Sequence, residues 1–207
     1  MIENQLEKEK FTPWNKGKCV GQKTKFTKRQ VSSLKDILKN KNKQFDLVLF
    51  SLGVDTMLRA SDLLNLKVGD VMAYDRTIKN IFDLKQQKTK INHKVQLSDS
   101  TIHELIIYTH NKNPQEYLFK SSKKDAPITR EYYAKKVKSW CELLGLDPEN
   151  YSTHSLRRTR ASYIYESTRD PELVRQLLGQ KHITATSAYL SIDKNRAIEL
   201  GSNFMMD

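Results

Sequence analysis

The sequence predicts a mainly α-helical domain that carries one small antiparallel β-sheet (an α+β domain), and three observations support this. Apolar residues recur at helical spacing through most of residues 27–200. Two neighbouring segments within residues 77–97 instead alternate apolar and polar side chains, as strands do. The 207 residues, 38% of them hydrophobic, suffice for one substantial core but hardly for two.

Thr27 is placed to cap a helix whose apolar stripe is Val31, Leu34, Ile37 and Leu38. A buried helix follows through Phe45, Leu47, Val48, Leu49, Phe50 and Leu52, and a short one through Leu63, Leu64 and Leu66. TIKNIFDL and KINHKVQL are the two strands of a hairpin, joined by the polar KQQKT. Beyond Ser98 the helical pattern returns at residues 101–108 and 129–144, the latter ended by Gly145. Between them, residues 117–119 form a short apolar run. Ser152 or Thr153 caps the segment HSLRRTRASYIYES, Pro171 opens ELVRQLLG, and short helices are expected at residues 186–190 and 194–200. Three parts result: a basic flexible arm (1–25), the domain (26–193) and a C-terminal tail (194–207).

With 36 Lys and Arg against 24 Asp and Glu, the formal net charge is +12. A polyanionic partner is implied, nucleic acid or an acidic membrane surface. No stretch approaches the roughly 20 apolar residues of a membrane span. MIENQLEKEK is too charged for a secretory signal. Cys19 and Cys141 lie far apart without a C-x-x-C pair, so neither a disulfide framework nor a cysteine zinc site is expected. The histidines lack metal-ligand spacing, so no metal or other cofactor is expected, and a reducing cytoplasm is the expected setting.

The chemistry-bearing segment is THSLRRTRASYIYESTRDPELVRQLLGQKHITATSAYL. His154 and Arg157 stand three residues apart at a helix start, so both project from one face. LLGQKH and Tyr189 follow. Together these resemble the C-terminal signature of the tyrosine recombinase (phage integrase) family: H-x-x-R, then L-G-H or L-G-W, then a tyrosine after a T-rich helix. TMLRASDLLNL (residues 56–66) is similar to that family's first arginine motif, with Arg59 as the arginine and Asp62 beside it. KTKINHKVQL is similar to its hairpin with a catalytic lysine, which would be Lys88. The resemblance covers residues 27–200.

The resemblance implies strand breakage by Tyr189, which joins the 3′ phosphate and frees a 5′ hydroxyl. A phosphodiester gains negative charge under attack, and the uncatalysed reaction is so slow that about 23 kcal/mol of barrier lowering is required. One preorganised donor supplies about 3–4 kcal/mol, so several cations must converge. Arg59 and Arg157 offer guanidinium forks to phosphate oxygens. His154 can relay the tyrosine proton or hold an oxygen, and Lys88 can protonate the departing 5′ oxygen. Lys85, Lys90 and Lys94 flank Lys88 and are alternatives for that role. Where the family has His or Trp after L-G, this chain has Gln180. Gln180 is the preferred neutral donor there, with His182 as the alternative.

The partner implied is double-stranded DNA, bound by a homotetramer that is a monomer free in solution. With 58 residues before Arg59, the chain resembles the short integrases without a clamping domain. Lys16, Lys18, Lys23 and Lys25 of the arm are expected to replace the clamp in part, and Lys90, Arg158 and Arg160 to add DNA contacts. The tail is expected to pack on its own domain or to dock on the next protomer. A type IB topoisomerase-like nicking-closing enzyme and a non-catalytic DNA-binding module are the competing functions.

Overall fold

The structure, a computed structural model, describes residues 23–190. Helix α1 (Lys28–Asn40) starts at a capping box: Gln30 N donates to Thr27 Oγ1 at 3.2 Å and Thr27 N to Gln30 Oε1 at 2.8 Å. Its Leu34 and Leu38 face α2 (Gln44–Asp55), in which every residue from Asp46 to Val54 is buried. A helix apolar on all sides must be surrounded. Here α1, α5 (Asp99–Thr109) and α7 (Thr153–Thr168) pack on it. Asp46, buried with it, is satisfied by Trp140 Nε1 at 2.9 Å and Lys136 Nζ at 3.0 Å, both from α6 (Arg130–Leu143).

Between α2 and the sheet lie α3 (Ala60–Leu64) and α4 (Val68–Val71). The sequence reading missed α4, because four residues are too few to show a period; Val68 and Val71 are buried as isolated apolar positions. β1 (Ile81–Lys85) and β2 (Asn92–Gln96) pair antiparallel, Leu84 opposite His93 and Lys85 opposite Asn92. The ladder is shorter than the alternation suggested. Residues 77–80 instead turn back on α4, where Ile78 bridges Met72 and Lys79 N donates to Val71 O at 2.9 Å.

Ser152, not Thr153, caps α7, accepting from His154 N at 3.2 Å. A single 3₁₀ turn (Pro148–Asn150) precedes it. Asp170 caps α8 (Pro171–Leu178), Pro171 occupies its first turn, and Gly179 ends it at φ 59°. The last described helix, α9 (Ile183–Leu190), begins ahead of its expected start. The helix expected at residues 194–200, the tail, and the arm through residue 22 lie outside the described residues. Lys23 and Lys25, assigned to the arm, are held against the domain: Thr24 N donates to Asn150 O at 2.8 Å and Phe26 N to Thr159 Oγ1 at 3.0 Å.

Two hydrophobic clusters result. The larger joins α1, α2, α5 and α6 around Phe50, Trp140 and Leu156. The smaller packs Ala161, Val174, Leu178 and Leu190 around Met57, and so fastens α7, α8 and α9 to the turn that precedes Arg59.

Candidate active site

Arg59 N-caps α3 immediately after that turn, in which Met57 takes a left-handed φ of 50°. A non-glycine residue there is strained by about 1–3 kcal/mol and persists only where its surroundings impose it. Here the Met57 side chain is buried in the smaller cluster and its carbonyl accepts from Arg157 Nη1. Arg157 is 1% exposed, and its Nη2 donates to Leu178 O at 2.8 Å. One buried guanidinium thus ties the first arginine motif to the end of α8.

Arg59 Nη1 donates to Gln86 Oε1 at 2.6 Å and lies 3.9 Å from Asp62 Oδ2. Asp62 Oδ1 accepts from Gln87 N at 2.9 Å, so the carboxylate pins the hairpin as well as facing the arginine. The hairpin loop closes through Gln86 N to Ile91 O at 3.0 Å and Lys90 N to Gln86 O at 2.9 Å, with Lys90 left-handed at φ 58°.

A cleft of about 970 Å³ opens over these elements. Its wall holds Arg59, Lys88, His154, Gln180 and His182, drawn from four separate parts of the chain. Arg130, Glu131, Thr153 and Lys181 line it too, so four permanent cations face one carboxylate. A concave surface with this balance is suited to an anion. Of the hairpin lysines, Lys88 lines the cleft, whereas Lys85 and Lys94 border other hollows.

Gln180 is buried after the left-handed Gly179; its Oε1 accepts from Thr186 Oγ1 at 2.6 Å and its backbone oxygen from Arg175 Nη1 at 2.5 Å. With the carboxamide oxygen occupied, the amide NH₂ is the end of that side chain suited to donate into the cleft. His182 stands at the exposed rim. Tyr189 sits on α9, one turn beyond Thr186, between that anchor and buried Leu190.

Desolvation and the guanidinium charges of Arg157 and Arg59 draw His154 below the ordinary histidine range. His93 on β2, which the sequence reading did not single out, is lowered by burial, then by Arg157; its hydrogen bond to the Leu177 backbone opposes this. Gly179 shows why this corner admits no side chain. A Cβ there would lie 2.3 Å from Gln86 Nε2 and 3.1 Å from His93 Nδ1.

Four expected DNA-contacting residues make contacts within the domain. Arg158 is buried and donates to Lys23 O. Arg160 Nη1 donates to Asp55 O. Both belong to a helix enclosed on several sides, where a basic run reads as solvated only in sequence. Lys23 Nζ donates to Glu149 O at 2.6 Å, and Lys25 pairs with Glu166 beneath the Tyr163 ring. Lys90 is exposed at the hairpin turn, and Lys16 and Lys18 lie outside the described residues. The sequence reading missed Gln86, Thr89, Arg130, Lys181 and Thr186. A polar turn residue or a helical threonine carries no signal until its neighbours are known.

Among the described residues no helix is long and apolar enough to cross a membrane. Residues 24–196 match the phage integrase family. YoeC of Bacillus subtilis (strain 168), named a probable integrase/recombinase, is 32% identical over 166 residues, 80% of this chain and 87% of that protein. The tyrosine recombinase XerD of Rickettsia bellii (strain RML369-C) is 31% identical over 151 residues, covering 67% of this chain and 48% of XerD. The chain therefore spans most of YoeC but about half the length of XerD. Among solved structures, the XerA recombinase superposes with a TM-score of 0.68 at 17% identity, over 89% of this chain and 64% of that one. The XerH site-specific recombinase, in its post-cleavage complex with palindromic difH substrate, gives 0.66 at 22% identity, over 88% and 53%. The fold is thus that of a tyrosine recombinase catalytic domain, and the chain belongs to the phage integrase family.

Proposed function

We propose that this chain is a site-specific DNA recombinase or integrase that breaks and rejoins double-stranded DNA through a covalent 3′-phosphotyrosine on Tyr189. The observation that carries this is the shared cleft wall of Arg59, Lys88, His154 and Gln180, with Arg157 beside His154 on α7. No shorter stretch of the sequence unites these groups.

In the forward step the Tyr189 phenolic oxygen bonds to phosphorus, and the bond from phosphorus to the 5′ oxygen breaks. His154, whose pKa is drawn down by desolvation and by the charges of Arg157 and Arg59, is suited to take the phenol proton. Arg59 supplies fixed positive charge at the cleft wall, the buried Arg157 adds its field from α7, and the Gln180 amide is a neutral donor, where charge develops on the non-bridging oxygens. Lys88 gives the departing 5′ oxygen its proton. The reverse step joins a new 5′ hydroxyl without ATP, because the phosphotyrosine bond conserves the energy of the broken link. Recombination then needs two duplexes and several protomers, and we place a tetramer on cytoplasmic DNA.

The test uses nicked, labelled duplexes from a randomised pool, screened for a protein–DNA adduct on a denaturing gel. An adduct formed by the wild type and absent from Tyr189→Phe is expected. Binding without any adduct would overturn the proposal in favour of a non-catalytic DNA-binding domain.

A further inference from the structure

Resting on the strand-breaking function proposed above, we infer that Gln86 is a positioning residue that holds the hairpin tip, and with it Lys88, in register with both arginines. Gln86 is fully buried while Lys85, Gln87 and Lys88 around it are exposed. A buried carboxamide costs free energy unless its groups are paired, so its partners fix where it sits. Oε1 accepts from Arg59 Nη1 at 2.6 Å and from Thr89 Oγ1 at 2.8 Å. Nε2 donates to Leu178 O at 3.3 Å, the carbonyl that also accepts from Arg157 Nη2 at 2.8 Å. The backbone of the same residue closes the loop onto Ile91 and Lys90.

A single side chain therefore joins the start of α3, the hairpin and the end of α8. Lys88 lies between Gln86 and Thr89, whose side chains are hydrogen-bonded to each other, on an otherwise polar and exposed loop. A lysine side chain carries about 2 kcal/mol of rotamer entropy, and proton transfer requires its nitrogen within hydrogen-bond reach of the leaving oxygen. Anchoring the backbone on both sides of Lys88 reduces that problem to the side chain alone. Gly179 completes the device, since a Cβ there would collide with Gln86 Nε2 at 2.3 Å.

A purely structural Gln86 and a positioning Gln86 differ in one respect. If Gln86 acts chiefly by placing the proton donor, its loss matters far more when the leaving group needs a proton than when it does not. A sulfur at the bridging 5′ position leaves as a thiolate, whose conjugate acid has a pKa of about 8.5, and so departs unprotonated.

The experiment measures single-turnover adduct formation on the nicked duplex selected by the wild-type protein, made with oxygen or with sulfur at that position. Gln86→Met keeps the side-chain length and removes its hydrogen bonds; Thr89→Val removes one bond at the turn and decides the matter if Gln86→Met melts early. Both variants are expected to slow cleavage of the oxygen duplex, Gln86→Met within the roughly 10²–10⁴-fold span of general acid catalysis. On the sulfur duplex both should approach the wild-type rate. Equal deficits on the two duplexes, with Lys88→Ala rescued by sulfur, would overturn the inference and leave Lys88 as the acid. Lys88→Ala left unrescued would instead overturn the general-acid role of Lys88, and the inference with it.

Discussion

The hydroxyl of Thr186 donates to Gln180 Oε1 at 2.6 Å, and this buried bond joins the helix that carries Tyr189 to the residue following the Leu-Gly turn. Cleavage requires the tyrosine and the phosphate-holding donors to keep a fixed separation, so a bond between their two elements bears on rate. Thr186→Val, which keeps the shape and removes the donor, should slow adduct formation by roughly fivefold or more, the worth of one net hydrogen bond. Gln180→Leu should cost more, about 10²–10³-fold, because a donor to the developing charge is lost. Gln180→His should retain most of the rate. Single-turnover kinetics on the selected duplex checks all three.

Arg157 and Arg59 should respond differently to Lys. Arg157 is 1% exposed and spans the Met57 and Leu178 carbonyls, which an ammonium cannot reach together. Arg157→Lys should therefore lose both cleavage and stability, with about 1–3 kcal/mol for a buried carbonyl left unsatisfied at Met57, since Leu178 O keeps its bond from Gln86 Nε2. Arg59 borders the cleft, and Arg59→Lys should lose cleavage with a much smaller drop in melting temperature. Thermal melts of the two variants make the comparison.

Gly179→Ala should destabilise beyond the backbone cost alone. A left-handed alanine costs about 1–2 kcal/mol. The new Cβ also meets Gln86 and His93, and overpacking of this kind adds about 1–3 kcal/mol. Denaturant titration should show a lower midpoint at unchanged slope. A change near 1 kcal/mol would mean that the hairpin moves aside freely.

His93 gives the protein a sensitivity to acid. Its folded pKa lies below the ordinary 6.5, so the folded state binds fewer protons than the unfolded chain once the pH drops beneath that value. The stabilisation is present above pH 6.5 and is lost as the pH falls through the lowered value. His154 contributes with the same sign. His93→Gln should flatten the loss of stability between neutral pH and mildly acidic pH, by at most about 1.4 kcal/mol per unit. An unchanged slope would show that His93 does not titrate there.

Salt dependence separates cleft cations from internal ones. Lys181→Gln or Arg130→Gln should lower DNA affinity and reduce the slope of log affinity against log salt by about one. Arg158→Gln should leave that slope unchanged and lower the melting temperature, because its guanidinium is buried against Lys23 O. Titrations at several salt concentrations distinguish the two classes.

The sequence by itself determined the helical frame and the order of the chemistry-bearing residues. Thr27, Ser152, Pro171 and Gly179 mark helix ends through local backbone rules, and periods of two and of 3.6 residues are visible in any chain. Arg59, Lys88, His154, Gln180 and His182 were named from such motifs, and they meet in one cleft. Tertiary structure alone decided which polar groups face inward. Gln86 and His93 look like ordinary hairpin residues until β2 and the end of α8 approach each other across Gly179. Arg158 and Arg160 look like DNA contacts until the fold brings the carbonyls of Lys23 and Asp55 within reach of their guanidinium groups. Local propensity depends on neighbours along the chain, whereas the burial of a polar side chain depends on carbonyls far away in sequence, which only the folded chain brings within hydrogen-bond distance.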